Sequence, residues 1–406
     1  MATIDADAGP QVTARQSWFA SRVDKLGVVV ALLAAIGALV GPFVTFRENR
    51  IVLGEARSIA TALPVWAAVL LFVVVALAAL VALLRTHAML RLAASLAAVL
   101  ALALLVGYAA AYLTPEGNSY ARISPAWGFW LLVFDFAILT ADSLTRLRLP
   151  PLARIGVLVL SACALALVIA SGSWDQLSIM KEYAGRADTF WQQAGQHVLL
   201  AFGSLAAAVV AGVPLGILCH RVPPVRASVL NVLNILQTIP SIALFGILIA
   251  PLGWVAANVP GAAAIGVSGI GTAPAFVALF AYSLLPVVAN TVVGLAGVPR
   301  AANDAARGMG MTDGQRLMRV EFPLAFPVIL TGIRIVLVQN IGLATIAALI
   351  GGGGFGVFVF QGIGQTAMDL VLLGAVPTVA LAFAAAIVLD ALIELSNRTG
   401  REGASA

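Results

Sequence analysis

Charge is what this sequence has least of. Only 10% of its 406 residues are Asp, Glu, Lys or Arg, and 61% are hydrophobic. A water-soluble domain carries roughly 25% charged residues, so this much apolar surface cannot hide inside an aqueous fold, and lipid must be the solvent. Lysine is almost missing. Lys25 and Lys181 are the two in the chain, and neither sits in a glycine-rich loop. That excludes a Walker A phosphate cradle and with it an ATP site in this chain. The two cysteines, Cys163 and Cys219, fall inside or at the end of apolar runs, which argues against a disulfide framework. His87, His197 and His220 lie in separate segments without ligand spacing, so no metal site is expected. The excess of base, +5, is scattered singly among short loops without aromatic interleaving, so no nucleic-acid partner is expected. Nothing suggests Ser/His/Asp catalysis or a redox centre.

What is present is a succession of apolar runs. About 20 apolar residues cross a bilayer, and ten runs qualify: 27–46, 64–84, 89–113, 126–141, 152–171, 197–219, 228–250, 274–298, 327–350 and 374–396. The expected fold is an all-α polytopic membrane protein of about ten transmembrane helices. Residues 1–26 are polar, and no small-residue cleavage site follows them, so the first run is expected to stay as a span. Sixteen Lys and Arg fall at one set of loop ends and six at the other. That asymmetry places both termini and the 299–326 loop in the cytoplasm. The longest polar interval between spans, 172–196, is then an external linker. It divides the chain into a cytoplasmic tail (1–26), five spans rich in Ala, Leu and Val (27–171), five spans carrying Gln, Asn, Thr, Ser and Pro (197–396), and a short cytoplasmic tail (397–406).

Polar groups within spans mark either a solute pathway or helix–helix hydrogen bonding. Asn234, Gln237, Thr238 and Ser241 recur at helical spacing, and Pro240 frees backbone carbonyls beside them. Asn290 and Thr291 in the eighth run, and Gln339 and Asn340 in the ninth, are candidates for the same cavity. Pathway and packing both stand open for this set. Asp135, within Trp130-Leu131-Leu132-Val133-Phe134-Asp135-Phe136, is costly in lipid. It is expected to serve a structural or regulatory role, or to pair with a basic residue of another span. Arg334 is expected to snorkel, and Gly351–Gly354 reads as a hinge or a plain turn.

A polar elbow separates the eighth and ninth runs. Pro299 suits a helix start, and Gly308 and Gly310 can end that helix at positive φ. Thr312-Asp313-Gly314-Gln315 is a capping-box pattern that starts a second helix, which Pro323 is expected to close. Ala305 and Ala306 leave room for another surface, and Arg307, Arg316 and Arg319 offer charge to an acidic partner. A capped helix–turn–helix of this length exceeds what connection requires.

The elbow resembles the coupling signature of ABC importer permeases: Glu-Ala-Ala, three residues, Gly, nine residues, then Ile-x-Leu-Pro. Ala305, Ala306, Gly310 and Pro323 match in register, with Asp304 for Glu, Val320 for Ile and Phe322 for Leu. Val213–Gly216, Leu233–Ser241, Tyr282–Pro286, Ala306–Thr312 and Ile350–Gly356 further resemble permeases for glycine betaine, choline and related osmoprotectants. The resemblance covers about residues 190–396, and the loop 251–273 departs from it by its length. It implies a type I ABC importer permease core in the last five spans. It implies a chain that is not itself an enzyme, with no cofactor of its own. The partners it implies are an ABC ATPase that binds ATP, a solute-binding protein, and a second permease subunit, identical or paralogous. All would assemble in a bacterial inner membrane. The alternatives are an ABC permease for another small solute such as an amino acid, an ion-driven secondary transporter, or a membrane sensor.

Overall fold

The computed structural model describes residues 23–402 apart from Ile51 and Ser119, with side chains as far as Ser396. The expected tails, 1–26 and 397–406, fall largely outside the described residues. Nine helices among those described are long and apolar enough to cross a membrane. The chain divides into two compact units: residues to Leu149 with Ala162–Lys181, and Pro150–Ser161 with the residues from Glu182 onward.

The first unit opens with α1 (Lys25–Leu39), an apolar helix of 15 residues. The predicted run 27–46 ends early because Gly41-Pro42 cannot continue a helix. The β-branched residues that follow form a strand instead. That strand, β1 (Val44–Arg47), pairs antiparallel with β2 (Glu55–Arg57) and β3 (Arg122–Pro125) in the order β2–β1–β3. This small sheet is an addition to the all-helical expectation. The helices of the unit are α2 (Ile59–Ala62), α3 (Val65–Leu83), α4 (Ala88–Leu113) and α5 (Trp127–Leu147). Helix α6 (Pro151–Ala170) is divided between the units, and α7 (Ser178–Ala184) spans the end of one and the start of the other. Leu71, Leu102, Leu132, Phe136 and Leu139 form the first unit's fully buried core. A Cβ on Gly128 would meet Pro42 O and Gly41 C at 2.7 Å, so only glycine permits the backbone contact between α5 and the chain leaving α1.

The ends of α1, α4 and α5 are held by charge. Arg91 is fully buried, 3.2 Å from Asp24 and 3.5 Å from Asp142. Arg146 reaches the same two carboxylates at 2.9 and 2.8 Å. Asp24 also caps α1, accepting from the Gly27 N–H at 3.1 Å. Burial pushes its carboxyl up. That N–H, the bond from Arg146 and the charges of Arg91 and Arg146 outweigh burial and leave it below the usual aspartate value.

In the second unit α8 (Ala187–Val198) runs through a wide π turn (Leu199–Gly203) into α9 (Ser204–Arg221). The interval 172–196 is therefore folded, and its end is the first part of a 35-residue helix. The run predicted at 228–250 is not one span. It breaks into α10 (Pro223–Thr238) and α11 (Ser241–Asn258). Pro240 has no N–H to continue the ladder and holds Ile239 extended at ψ 125°. Helix α11 takes up part of the expected long loop 251–273. Helix α12 (Thr272–Ala296) leads to the elbow helices α13 (Arg300–Gly308) and α14 (Asp313–Arg316). A second π turn (Leu317–Glu321) joins α14 to α15 (Phe322–Ile346). Pro323 thus does not close a helix. It lies in the first turn of α15, after a π turn that widens the spiral where its ring would otherwise press on a preceding carbonyl. Helices α16 (Gly356–Gly364) and α17 (Met368–Glu402) complete the unit. Its core includes Leu200, Ala275, Leu279, Val336 and Ile341, all fully buried.

Candidate functional site

The elbow is built by local rules. Pro299 takes the cap position before α13. At the other end, Gly310 N–H donates to Arg307 O at 2.9 Å and Met311 N–H to Ala306 O at 3.1 Å. This is a Schellman closure, which requires the residue after the cap to adopt left-handed backbone. Gly310 does so, at φ +76°. Gly308 does not; it remains the last residue of α13. The capping box forms as well: Thr312 Oγ1 accepts from Gln315 N–H, and Gln315 Oε1 from Thr312 N–H.

These turns leave Asp304, Ala305 and Gly310 exposed, with Ala306 buried beneath them and Pro323 exposed on α15. Arg307 stands 4.0 Å from Asp304, both largely in solvent. Arg316, expected to face an acidic partner, is turned inward. It donates to Glu321 at 2.9 Å and lies 2.9 Å from Asp313. The other oxygen of buried Glu321 accepts from Arg221, the last residue of α9, also at 2.9 Å. An arginine–glutamate–arginine chain therefore bolts the elbow to the end of α9. Sequence reasoning missed Glu321 and Arg221. The only signal was one glutamate among the many arginines of this face.

The polar span residues fall into separate places. Asn340 is buried where α9, α12 and α15 meet, donating to Ser204 Oγ at 2.9 Å and Ser283 Oγ at 2.8 Å. Each serine gives its own hydroxyl proton to its helix backbone, so both can receive the amide. Thr291 is buried against Gly216, and Asn290 packs on Gly332. Both also bond to their own helix, at Val287 O and Pro286 O. Gln237 donates to Tyr282 O at 2.7 Å, and the Tyr282 hydroxyl donates to Ile239 O. These two bonds fix the break at Pro240 to α12 and satisfy a carbonyl beside the proline. Asn234, Thr238 and Pro240 are exposed, Ser241 and Gln339 half-buried. The nine candidates thus do not share one cavity within the chain. Ser204, Ser283 and Tyr282, which complete the two clusters, were not among them.

At the far end of α15, the glycine run is tied down. Gly353 and Gly354 have φ of +78° and +85°. Gly354 N–H donates to Gln193 Oε1 at 2.7 Å, Phe355 N–H to His197 Nδ1 at 3.3 Å, and Gln196 to Gly352 O at 3.0 Å. The run is a turn clamped by α8, and the buried His197 is part of that clamp. Arg334 does not snorkel freely: it pairs with Asp390 of α17 at 2.8 Å. In the first unit Lys181 donates to Ala121 O at 3.1 Å, and burial, with the charge of Arg122, lowers the pKa of its ammonium.

Two family models match this chain. One, described as "ABC transporter permease YehY, N-terminal domain", covers residues 24–180. The other, "Binding-protein-dependent transport system inner membrane component", covers residues 212–401. Among curated proteins, the carnitine transport permease protein OpuCB of Listeria monocytogenes is 37% identical over 212 residues, 50% of this chain and 90% of that protein. The osmoprotectant import permease protein OsmW of Salmonella typhimurium is 43% identical over 198 residues, 49% of this chain and 85% of that one. The glycine betaine/carnitine/choline transport system permease protein OpuCB of Bacillus subtilis is 34% identical over 206 residues, 51% of this chain and 86% of that one.

Proposed function

Because this chain belongs to the permeases of binding-protein-dependent ABC importers, and among them to the osmoprotectant type, we propose that it carries a compatible solute such as glycine betaine or choline across a bacterial inner membrane. In this reading both termini and the elbow are cytoplasmic. A separate ATPase subunit binds and hydrolyses ATP, and this chain needs no cofactor. The ATPase docks on the elbow through Asp304, Ala305, Gly310 and Pro323, with Ala306 packed beneath them.

One observation carries the reading: an exposed elbow whose second helix, α14, is fastened by buried charge to α9 and runs without a helix break into α15. A push on such an elbow is delivered to two spanning helices at once. A flexible loop would absorb it. The exposed Asn234, Thr238 and Pro240, with Ser241 and Gln339, line the pathway once a second permease subunit faces them. Gln237 holds the break beside it. Asn290, Thr291 and Asn340 serve helix packing. A zwitterion in transit favours such neutral lining over fixed charge. Tight recognition belongs to the solute-binding protein, for example through an aromatic cage around a quaternary ammonium.

The test is uptake of labelled glycine betaine into vesicles holding this chain with its ATPase and binding protein. Uptake is expected to require ATP and the ATPase. ATP hydrolysis stimulated by the loaded binding protein without betaine uptake would move the substrate to another small solute, such as an amino acid. In a Gly310→Trp variant, uptake is expected to vanish while the protein stays folded in the membrane and the ATPase keeps its basal hydrolysis. Normal uptake by that variant would refute docking at the elbow.

A further inference from the structure

Asp135 is fully buried, and neither carboxylate oxygen has a hydrogen-bond partner among the described residues. It lies on the inward stripe of α5 with Leu132, Phe136 and Leu139. The neighbouring helices run antiparallel to α5. Thr140 meets Ser95 of α4 at 2.9 Å, and Asp142 meets Arg91. On α1, Asp24 meets Arg146 and Gly37 packs on Leu132. This register puts Asp135 level with Ala98 and Leu102 on α4 and with Ala34 on α1, all apolar and buried.

Among the described residues no charge is placed to compensate it. On α5 the next ionisable groups, Asp142 and Arg146, begin two turns away, about 10 Å along the axis. On α4, Arg91 is committed to Asp24 and Asp142, and Tyr108 and Tyr112 are exposed. On α1 the ionisable groups are Lys25 and the cap Asp24, and on β1 there is Arg47 at the strand's end. None reaches Asp135. The Asp24–Arg91–Asp142–Arg146 group has two charges of each sign and so carries no net charge. A carboxylate wants several donors around it, and an isolated one in apolar surroundings neutralises by taking up a proton.

We propose that Asp135 is a proton-binding site of the N-terminal unit, held as the neutral carboxylic acid at neutral pH.

Infrared difference spectra between wild type and Asp135→Asn, both full-length in lipid nanodiscs at neutral pH, test the proposal. The expected result is a carboxylic-acid carbonyl stretch present only in the wild type and converted to carboxylate bands at alkaline pH. Carboxylate bands at neutral pH would overturn it. If a variant fails to fold, isotope-labelled aspartate in the wild type reports the same acid band.

Discussion

In the first unit, fully buried Arg91 sits between Asp24 and Asp142, and Arg146 closes the ring from outside. In the second, buried Glu321 sits between Arg316 and Arg221. The two arrangements are mirror images in sign, and each is strung between elements far apart in sequence. They differ in what they hold. The first joins the ends of α1, α4 and α5, and α5 already packs on the other two, so it closes a bundle. The second joins an exposed elbow to a spanning helix, so it fixes the orientation of a surface. The same interaction therefore stabilises one unit and orients an exposed surface in the other.

Removing the centre of either arrangement sharpens the contrast, because it leaves two like charges facing each other. Glu321→Ala is expected to have the largest effect. It leaves buried Arg316 with only the exposed Asp313, a loss of about 3–5 kcal/mol by analogy with broken buried pairs. Uptake per folded molecule should fall at least about tenfold, since about 1.4 kcal/mol of misplacement suffices for that. Thermal unfolding and vesicle uptake measured on the same preparation check both. Arg91→Ala should cost less, about 1–3 kcal/mol, because Arg146 still pairs with both Asp24 and Asp142. Here the folded yield should drop while uptake per folded molecule stays near wild type; a parallel loss of uptake would break the contrast.

Smaller effects follow from the caps. Thr312→Ala removes the capping box at α14 and should cost about 1 kcal/mol, read as a lower unfolding midpoint with uptake retained. The smallest is a pH effect at Asp24. Its pKa is lowered in the folded state. Its contribution is therefore complete above the ordinary aspartate value, about 4, and is lost as pH falls through the folded value. Asp24→Asn should flatten the acid limb of the stability profile and leave neutral behaviour little changed beyond a constant offset.

Much of the fold was legible because it depends on residues close in the chain. The apolar run lengths announced the spanning helices. Gly310 and the Thr312–Gln315 box announced the elbow's turns, since a Schellman closure and a capping box involve only the nearest few residues. Proline was read less well. Pro240 breaks its helix and Pro323 does not, although each follows an apolar or half-polar run. Pro286 and Pro327 also stay inside their helices, so proline alone does not decide where a span breaks. The polar spans were read as one set, yet Asn340 serves a buried junction while Asn234 and Thr238 stay on the surface. Helical spacing fixes which residues share a face, but it does not say what that face meets.

By itself, then, the sequence determined that lipid is the solvent, where most spans lie, and that a capped elbow interrupts them, because hydrophobic length and local hydrogen bonding act within a few turns of helix. Only the tertiary structure decided that Arg316 turns inward to Glu321 and Arg221, that His197 clamps a glycine turn, and that Asp135 has no hydrogen-bond partner among the described residues. A buried charge takes its partner from whichever helix end packs nearby, and that neighbour, 100 residues away between Arg221 and Glu321, is chosen by the packing of the whole unit.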